Sequence, residues 1–175
     1  PAEIDCIRAA STIVHSVQIA LEAAVAPGVS TQRLDELAEA TIRDQGGIPA
    51  FKGYHDFPAN ICASVNAEAV HGFPRAEPLR DGDVVCVDVG VKLDGWFGDG
   101  AFTIGVGHLT EEVRQLLATT RAALDHAWEL LDESGTWDGW LQCNWHPYEY
   151  DAVFGPTLVL IALGERREHE QLTSC

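Results

Sequence analysis

The sequence predicts an α+β fold in which an antiparallel sheet is covered by helices on one face. Apolar residues recur at helical spacing in two segments before residue 47 and in one segment after residue 110. Between these segments, apolar runs of strand length are separated by short turns, and Asp94-Gly95 is the strongest hairpin signal in the chain. The order helix, helix, strands, helix therefore indicates strands that pair through short turns.

Two helices are predicted before the strands. The first covers residues 4–24 and ends at Pro27-Gly28. The second begins at Ser30 or Thr31, either of which can cap it, and ends at Gly46-Gly47.

A loop and two strands follow. Residues 48–58 are predicted to form an ordered loop with an aromatic lining, because three rings stand there among Gly and Pro. Residues 59–65 and 84–91 are predicted as strands, and the second of them leads into the hairpin at Asp94-Gly95.

This hairpin carries two acids, Asp88 and Asp99, which we predict to share one face of the ribbon. A two-residue turn at Asp94-Gly95 places Gly90 opposite Asp99, and Asp88 lies two residues from Gly90 on the same strand. Because Gly90 has no side chain, the space between the acids is expected to be open. Like charges so close need a shared proton or a cation, and two divalent ions about 3.5–4 Å apart would fit. The alternative is that both acids simply flank a solvated hairpin.

Composition limits the classes of function. The chain has 175 residues, 46% of them apolar, and a net charge of −16, which argues against a nucleic-acid partner and suits a site that attracts cations. No apolar run approaches the roughly 18 residues of a membrane span, and no signal peptide is expected. The five cysteines include no C-x-x-C pair, so a disulfide framework or thiolate zinc site is not expected and the cytoplasm is the predicted location.

The third helix starts after Thr110, its predicted N-cap, and reaches about Ser134, with Gly135 as the stop. After Gly135 the pattern loses its clear period. We therefore expect two regions, an ordered region at residues 1–135 and a divergent tail at residues 136–175.

His71 precedes the turn Gly72-Phe73-Pro74 and follows a predicted strand. A histidine at such a loop edge is either simply exposed or part of a site. The exposed position is the more common one, and the site interpretation is of interest because a short stretch leads from His71 back to the aspartate hairpin.

Residues 46–107 resemble the type I methionine aminopeptidases. The matching motifs are GYHDFPANICASVNAEAVHGFP at 53–74 and LRDGDVVCVDVGVKLDGWFGDGAFT at 79–103. The resemblance extends over about residues 1–135 and implies the pita-bread (creatinase/aminopeptidase-like) fold, of which only the first half is evident.

The resemblance also implies roles for individual residues. Asp88 and Asp99 match the first two metal-ligand aspartates of the family, and His71 matches a histidine that contacts the substrate near its scissile amide. Phe51, Tyr54 and Phe57 fall where the family lines the pocket for the methionine side chain; otherwise these rings would be ordinary core residues.

The implied activity is removal of the N-terminal methionine from nascent proteins by a monomer. Two divalent ions per complete site, Co, Mn, Fe or Zn, are the implied cofactors. No direct nucleic-acid partner and no membrane are expected.

The sequence departs from this pattern in its metal ligands. The family uses five protein ligands, and the motifs that supply the later histidine and two glutamates are not found in this chain. Two alternatives therefore stay open: a catalytically inactive truncated homologue or binding module, and a proline-specific aminopeptidase of the same fold.

Overall fold

The computed structural model describes residues 2–129, and the predicted end of the third helix and the tail at 136–175 lie outside them. Residues up to Thr110 form one compact unit, and a second unit begins at Glu111. The first unit contains two helices, four strands and a short 3-10 turn: α1 (Ala2–Ala24), α2 (Thr31–Asp44), β1 (Ile48–Pro49), the turn Tyr54–Asp56, β2 (Ile61–Val65), β3 (Val84–Leu93) and β4 (Trp96–Gly105). The second unit contains α3 (Glu111–Glu129). Within the described residues, no helix combines the length and the apolar character needed to cross a membrane.

α2 and α3 start where the sequence predicts them, and α1 starts at Ala2, two residues before the predicted start. Ser30 is the N-cap of α2 and its hydroxyl accepts a hydrogen bond from the Arg33 N–H, so Thr31 becomes the first helical residue. α1 buries a stripe at helical spacing, made of Ala10, Ile13, Val14, Val17 and Leu21. The predicted stripe began earlier, at Ile4, but in the structure Ile4 is 51% exposed.

The sheet is antiparallel, as predicted, and β3 is its central strand. β4 pairs with β3 along its whole length, so β1 and β2 share the opposite edge of β3. The two-residue strand β1 lies where the sequence predicts only loop, and it pairs with Lys92 and Val91. A strand this short has no period of its own, which is why the sequence does not indicate it.

The two faces of β3 have different roles. Val85, Val87, Val89 and Val91 point towards the helices and are fully buried. At Gly98 of β4 the backbone of α1 comes so close that a Cβ atom would lie 2.6 Å from the Ser11 nitrogen. The other face of β3 carries Asp88 and Gly90 and is the face of the candidate site.

The outer edge of β2 has no neighbouring strand in the sheet, yet its outward N–H groups all have acceptors. The Ile61 N–H donates to the Asp35 carboxylate, the Ala63 N–H to the Gly72 carbonyl and the Val65 N–H to the Glu68 carboxylate. Two acidic side chains and one backbone carbonyl thus satisfy an edge that would otherwise expose donors.

Candidate metal and substrate site

The hairpin register places both acids on one face. Gly90 pairs with Asp99 and Asp88 pairs with Ala101, as predicted from the turn at Asp94-Gly95. Asp94 and Gly95 both have positive φ, +50° and +89°, which is the conformation that a two-residue hairpin turn of this kind requires. The two carboxyl groups are therefore diagonal neighbours, close enough to share a hydrogen bond.

The environment of Asp88 is unfavourable for an ionised carboxyl group. Its Oδ1 atom is buried and has no hydrogen-bond partner. Burial, followed by the charge of Asp99 and a hydrogen bond to Asp99, raises the pKa of the Asp88 carboxyl from 3.8 to about 6. The electrostatic interaction with His71 has the opposite influence and lowers the pKa of Asp88.

The space beside Gly90 is filled by Phe51, so the expectation of an open space there is wrong. A Cβ atom at Gly90 would lie 2.4 Å from Cε1 of Phe51. Sequence reasoning could show that Gly90 lacks a side chain, but not that a ring from another segment uses the gap. Phe51 consequently lies directly beside the strand that carries Asp88.

The aromatic residues predicted to line a pocket do not all lie together. Phe51 and Phe57 pack edge to face, with ring centroids 6.4 Å apart, and Phe57 packs on Phe73 at 5.3 Å. Tyr54 packs instead against the His55 ring, at 4.3 Å, and is 68% exposed. Sequence analysis assigned no role to Phe73, although its position two residues after His71 was a signal for it.

His71 is exposed and held at the edge of β2 by the residue that follows it. The Gly72 N–H donates to the Ser64 hydroxyl at 3.0 Å, and the Gly72 carbonyl accepts from the Ala63 N–H at 2.9 Å. Gly72 lies so close to β2 that a Cβ atom would be 2.4 Å from the Ala63 oxygen. His71 itself has a φ of +57°, an uncommon conformation for a side-chain-bearing residue.

Cys62 belongs to this face and was missed by sequence reasoning, which interpreted it as a small buried hydrophobe. It is buried as expected, but it pairs with Asp88 across the sheet. Burial, and then the charges of Asp88 and Asp99, raise the pKa of its thiol to about 11, so the thiol stays protonated. The alternation of β2 would have identified Cys62 once the β2–β3 register was known.

The chemistry of the Asp88–Asp99 pair suits a divalent cation. Two carboxylates converge on one face, and the unpartnered Asp88 oxygen is a ligand atom without a hydrogen-bond donor. Among residues 2–129 no group of three or more His, Cys, Asp or Glu side chains is arranged to hold a metal ion. These residues therefore supply two carboxylate ligands and not a complete coordination sphere.

Comparison with known proteins places these observations in a family. Residues 5–138 match metallopeptidase family M24. Methionine aminopeptidase 1 of Mycobacterium tuberculosis is 49% identical over 123 residues, which are 70% of this chain and 46% of that protein. Methionine aminopeptidase 1 of Bacillus subtilis is 44% identical over 124 residues, 71% of this chain and 50% of that protein.

A solved structure gives the same result. Methionine aminopeptidase from Thermotoga maritima superposes with a TM-score of 0.70 at 34% identity, covering 73% of this chain and 51% of that one. The predicted fold class is thereby confirmed. The chain spans about half the length of the curated relatives that it matches.

Proposed function

We propose that this chain, which belongs to metallopeptidase family M24, takes part in metal-dependent removal of the N-terminal methionine from nascent proteins. The observation that carries the proposal is the Asp88–Asp99 pair, with its buried unpartnered oxygen, on a face beside which Phe51 also lies. The two methionine aminopeptidases named above, at 49% and 44% identity to this chain, support it.

Asp88 and Asp99 would hold the metal. We propose two divalent ions in the complete site, drawn from Co, Mn, Fe or Zn. Such ions supply a Lewis acid and lower the pKa of water to near neutrality. The raised pKa of Asp88 supports this role, because a cation offsets the repulsion between the two carboxylates that otherwise favours a shared proton.

The protein's own side chains would bind and orient the peptide. An imidazole at the position of His71 can donate a hydrogen bond to the scissile amide and stabilise charge that develops there. Phe51 and Phe57, with Tyr54 at the exposed end of the same loop, offer apolar and aromatic surface that suits a thioether side chain.

We propose that the protein acts in the cytoplasm as a monomer, and that its substrates are nascent chains. The net charge of −16 disfavours binding to nucleic-acid phosphates and to anionic membrane surfaces. The proposed division is an ordered half at residues 1–135 and a divergent segment at 136–175.

One alternative has an observation in its favour. Because the described residues provide two carboxylate ligands and no third, a relative without further ligands would bind metal weakly and would not hydrolyse peptides. Such a chain would act as a binding module. No observation on the described residues favours a proline-specific aminopeptidase.

Peptide cleavage tests the proposal. The full chain is incubated with Met-Ala-Ser, or with Ala-Pro-Ser, in the presence of Co, Mn, Fe or Zn, beside Asp88→Asn and the matched hairpin control Asp94→Asn. We expect methionine release by the wild type and the control, none by Asp88→Asn and none from the proline peptide. Absence of methionine release with all four ions, together with weak Mn binding in calorimetry, would establish the inactive alternative.

A further inference from the structure

We infer that Asp35 is a positioning residue of this site. It acts through Asn60 to fix the loop at 51–59, and with it Phe51, beside the aspartate pair. The inference rests on the proposed function, because it assigns to Asp35 the placement of an aromatic residue of the proposed substrate pocket.

The Asp35 carboxylate lies on α2 and accepts three hydrogen bonds from the point where the loop ends. Its Oδ1 atom accepts from the N–H of Asn60 at 2.7 Å and from the N–H of Ile61 at 3.0 Å. Its Oδ2 atom accepts from Nδ2 of Asn60 at 2.7 Å. Asn60 is 1% exposed, so these charge-assisted bonds are shielded from water and fix the loop end firmly to the helix.

The other end of the loop is fixed to β3. The Ala50 N–H donates to the Gly90 carbonyl at 2.9 Å, immediately before Phe51. A second contact to α2 comes from Glu39, which accepts from Nδ2 of Asn60 at 3.2 Å and lies 3.6 Å from the Lys52 ammonium. The loop therefore leaves the edge of β3 at Gly90 and returns to the same edge at Asn60, with both ends held.

The backbone between these ends is not relaxed. Gly53, His55 and Asp56 have φ values of +86°, +47° and +63°. Left-handed residues other than glycine carry an energetic cost and persist only where the surroundings enforce them. Release of the Asn60 end would let this segment relax and would move the rings that it carries.

Asp35 could also have the simpler role of stabilising the edge of β2. The two roles differ in what happens at Gly90, which lies on β3 and receives no hydrogen bond from Asp35. In the native packing the Phe51 ring lies against Gly90, so ring current shifts the Gly90 Hα resonances. A purely structural Asp35 would leave these resonances unchanged in the folded protein.

The test compares Asp35→Asn with Glu36→Gln in the full chain. Glu36 is the neighbouring acid on α2 and makes an exposed ion pair with Arg33, so its substitution removes the same charge without touching the loop. Phe51→Leu gives the reference value, the Gly90 Hα chemical shift in the absence of an aromatic ring at position 51. The readouts are the Gly90 Hα shift by NMR, Mn affinity by calorimetry, and KM and kcat for Met-Ala-Ser.

We expect Asp35→Asn to move the Gly90 Hα shift at least halfway towards the Phe51→Leu value. KM should rise about tenfold, kcat should stay within about twofold and Mn affinity should be unchanged, because the loop acts on binding and not on the acids. Glu36→Gln should match the wild type in every readout. An unchanged Gly90 shift in folded Asp35→Asn, or a fall in kcat with KM constant, would overturn the inference.

Asn60→Ser provides a second variant, because it removes the two Nδ2 bonds, to Asp35 and Glu39, and leaves both backbone bonds to Asp35. It should move the Gly90 shift in the same direction by a smaller amount. If Asp35→Asn does not fold and Asn60→Ser leaves the shift at its wild-type value, the inference fails. If the wild type itself cleaves no peptide, the proposed function fails, and the Gly90 shift still decides whether Asp35 positions Phe51.

Discussion

Replacing Asp88 by Asn should stabilise the metal-free protein above pH 6, although the same change should abolish metal binding. Asn has nearly the shape of Asp and carries no charge. It therefore removes the repulsion from Asp99 and the cost of burying an ionised carboxyl while it keeps the packing of β3.

The magnitude follows from the pKa of Asp88, which is 3.8 in the unfolded chain and about 6 in the folded protein. Because the folded value is the higher, the folded state holds the proton over the range from about pH 4 to pH 6. Stability therefore falls as pH rises through this range, and the full penalty is present above it. The difference corresponds to about 3 kcal/mol, and partial solvent access to Asp88 reduces the expected effect to about 1–2 kcal/mol.

Urea denaturation in EDTA, at pH 4 and at pH 8, measures this effect. Asp88→Asn should exceed the wild type by about 1–2 kcal/mol at pH 8 and by much less at pH 4. Asp94→Asn in the hairpin turn is the matched control and should show no such pH-dependent gain, since Asn tolerates the φ of +50° at that position. Added Mn should stabilise the wild type and leave Asp88→Asn unchanged. If Asp88→Asn is no more stable than the wild type at pH 8 in EDTA, the assignment of Asp88 as a repelled, buried acid is wrong.

Three further substitutions test the packing of the hairpin and the role of His71. Gly98→Ala should cost about 2–3 kcal/mol in urea denaturation, because its Cβ would lie 2.6 Å from the backbone nitrogen of Ser11. Gly100→Ala should cost about 1 kcal/mol, because its Cβ would meet only side chains, Nε2 of Gln18 at 3.0 Å and Cγ1 of Val14 at 3.2 Å, and equal losses at the two glycines would contradict this explanation. His71→Asn should lower kcat for Met-Ala-Ser about 100-fold. It should change the free energy of unfolding by less than about 0.5 kcal/mol, because Asn also tolerates positive φ. An unchanged kcat would remove His71 from the proposed mechanism.

Local signals in the sequence were sufficient to predict the hairpin and its register. A two-residue turn at Asp94-Gly95 determines every pair along β3 and β4, because strand alternation has a period of two and tolerates no slip. The apolar stripe of α2 and its cap are also local features; the stripe was predicted, and Ser30 was one of the two predicted candidates for the cap. The common face of Asp88 and Asp99 followed from these local rules alone.

The features that could not be predicted depend on segments distant in sequence. Phe51 fills the gap at Gly90, although 39 positions separate them, and no periodicity connects a loop ring with a strand glycine. Cys62 faces Asp88 only because β2 pairs with β3 in one particular register. Asp35 looks like an ordinary acid on a helix surface until its three bonds to the loop end are seen.

The alternation of β3 explains how the fold tolerates an unfavourable acid pair. Four fully buried valines, at 85, 87, 89 and 91, occupy one face of the strand that carries Asp88 on the other. Burial of a valine side chain contributes roughly 1.5–3 kcal/mol, so this face supplies several times the 1–2 kcal/mol that Asp88 costs. A shift of one residue in register would move the valines off the face that packs against the helices and put the acids there, so the same alternation that places the acids also determines the register. Stability and chemistry are thus assigned to opposite faces of one strand, and substitutions on the acid face should change function with little loss of fold.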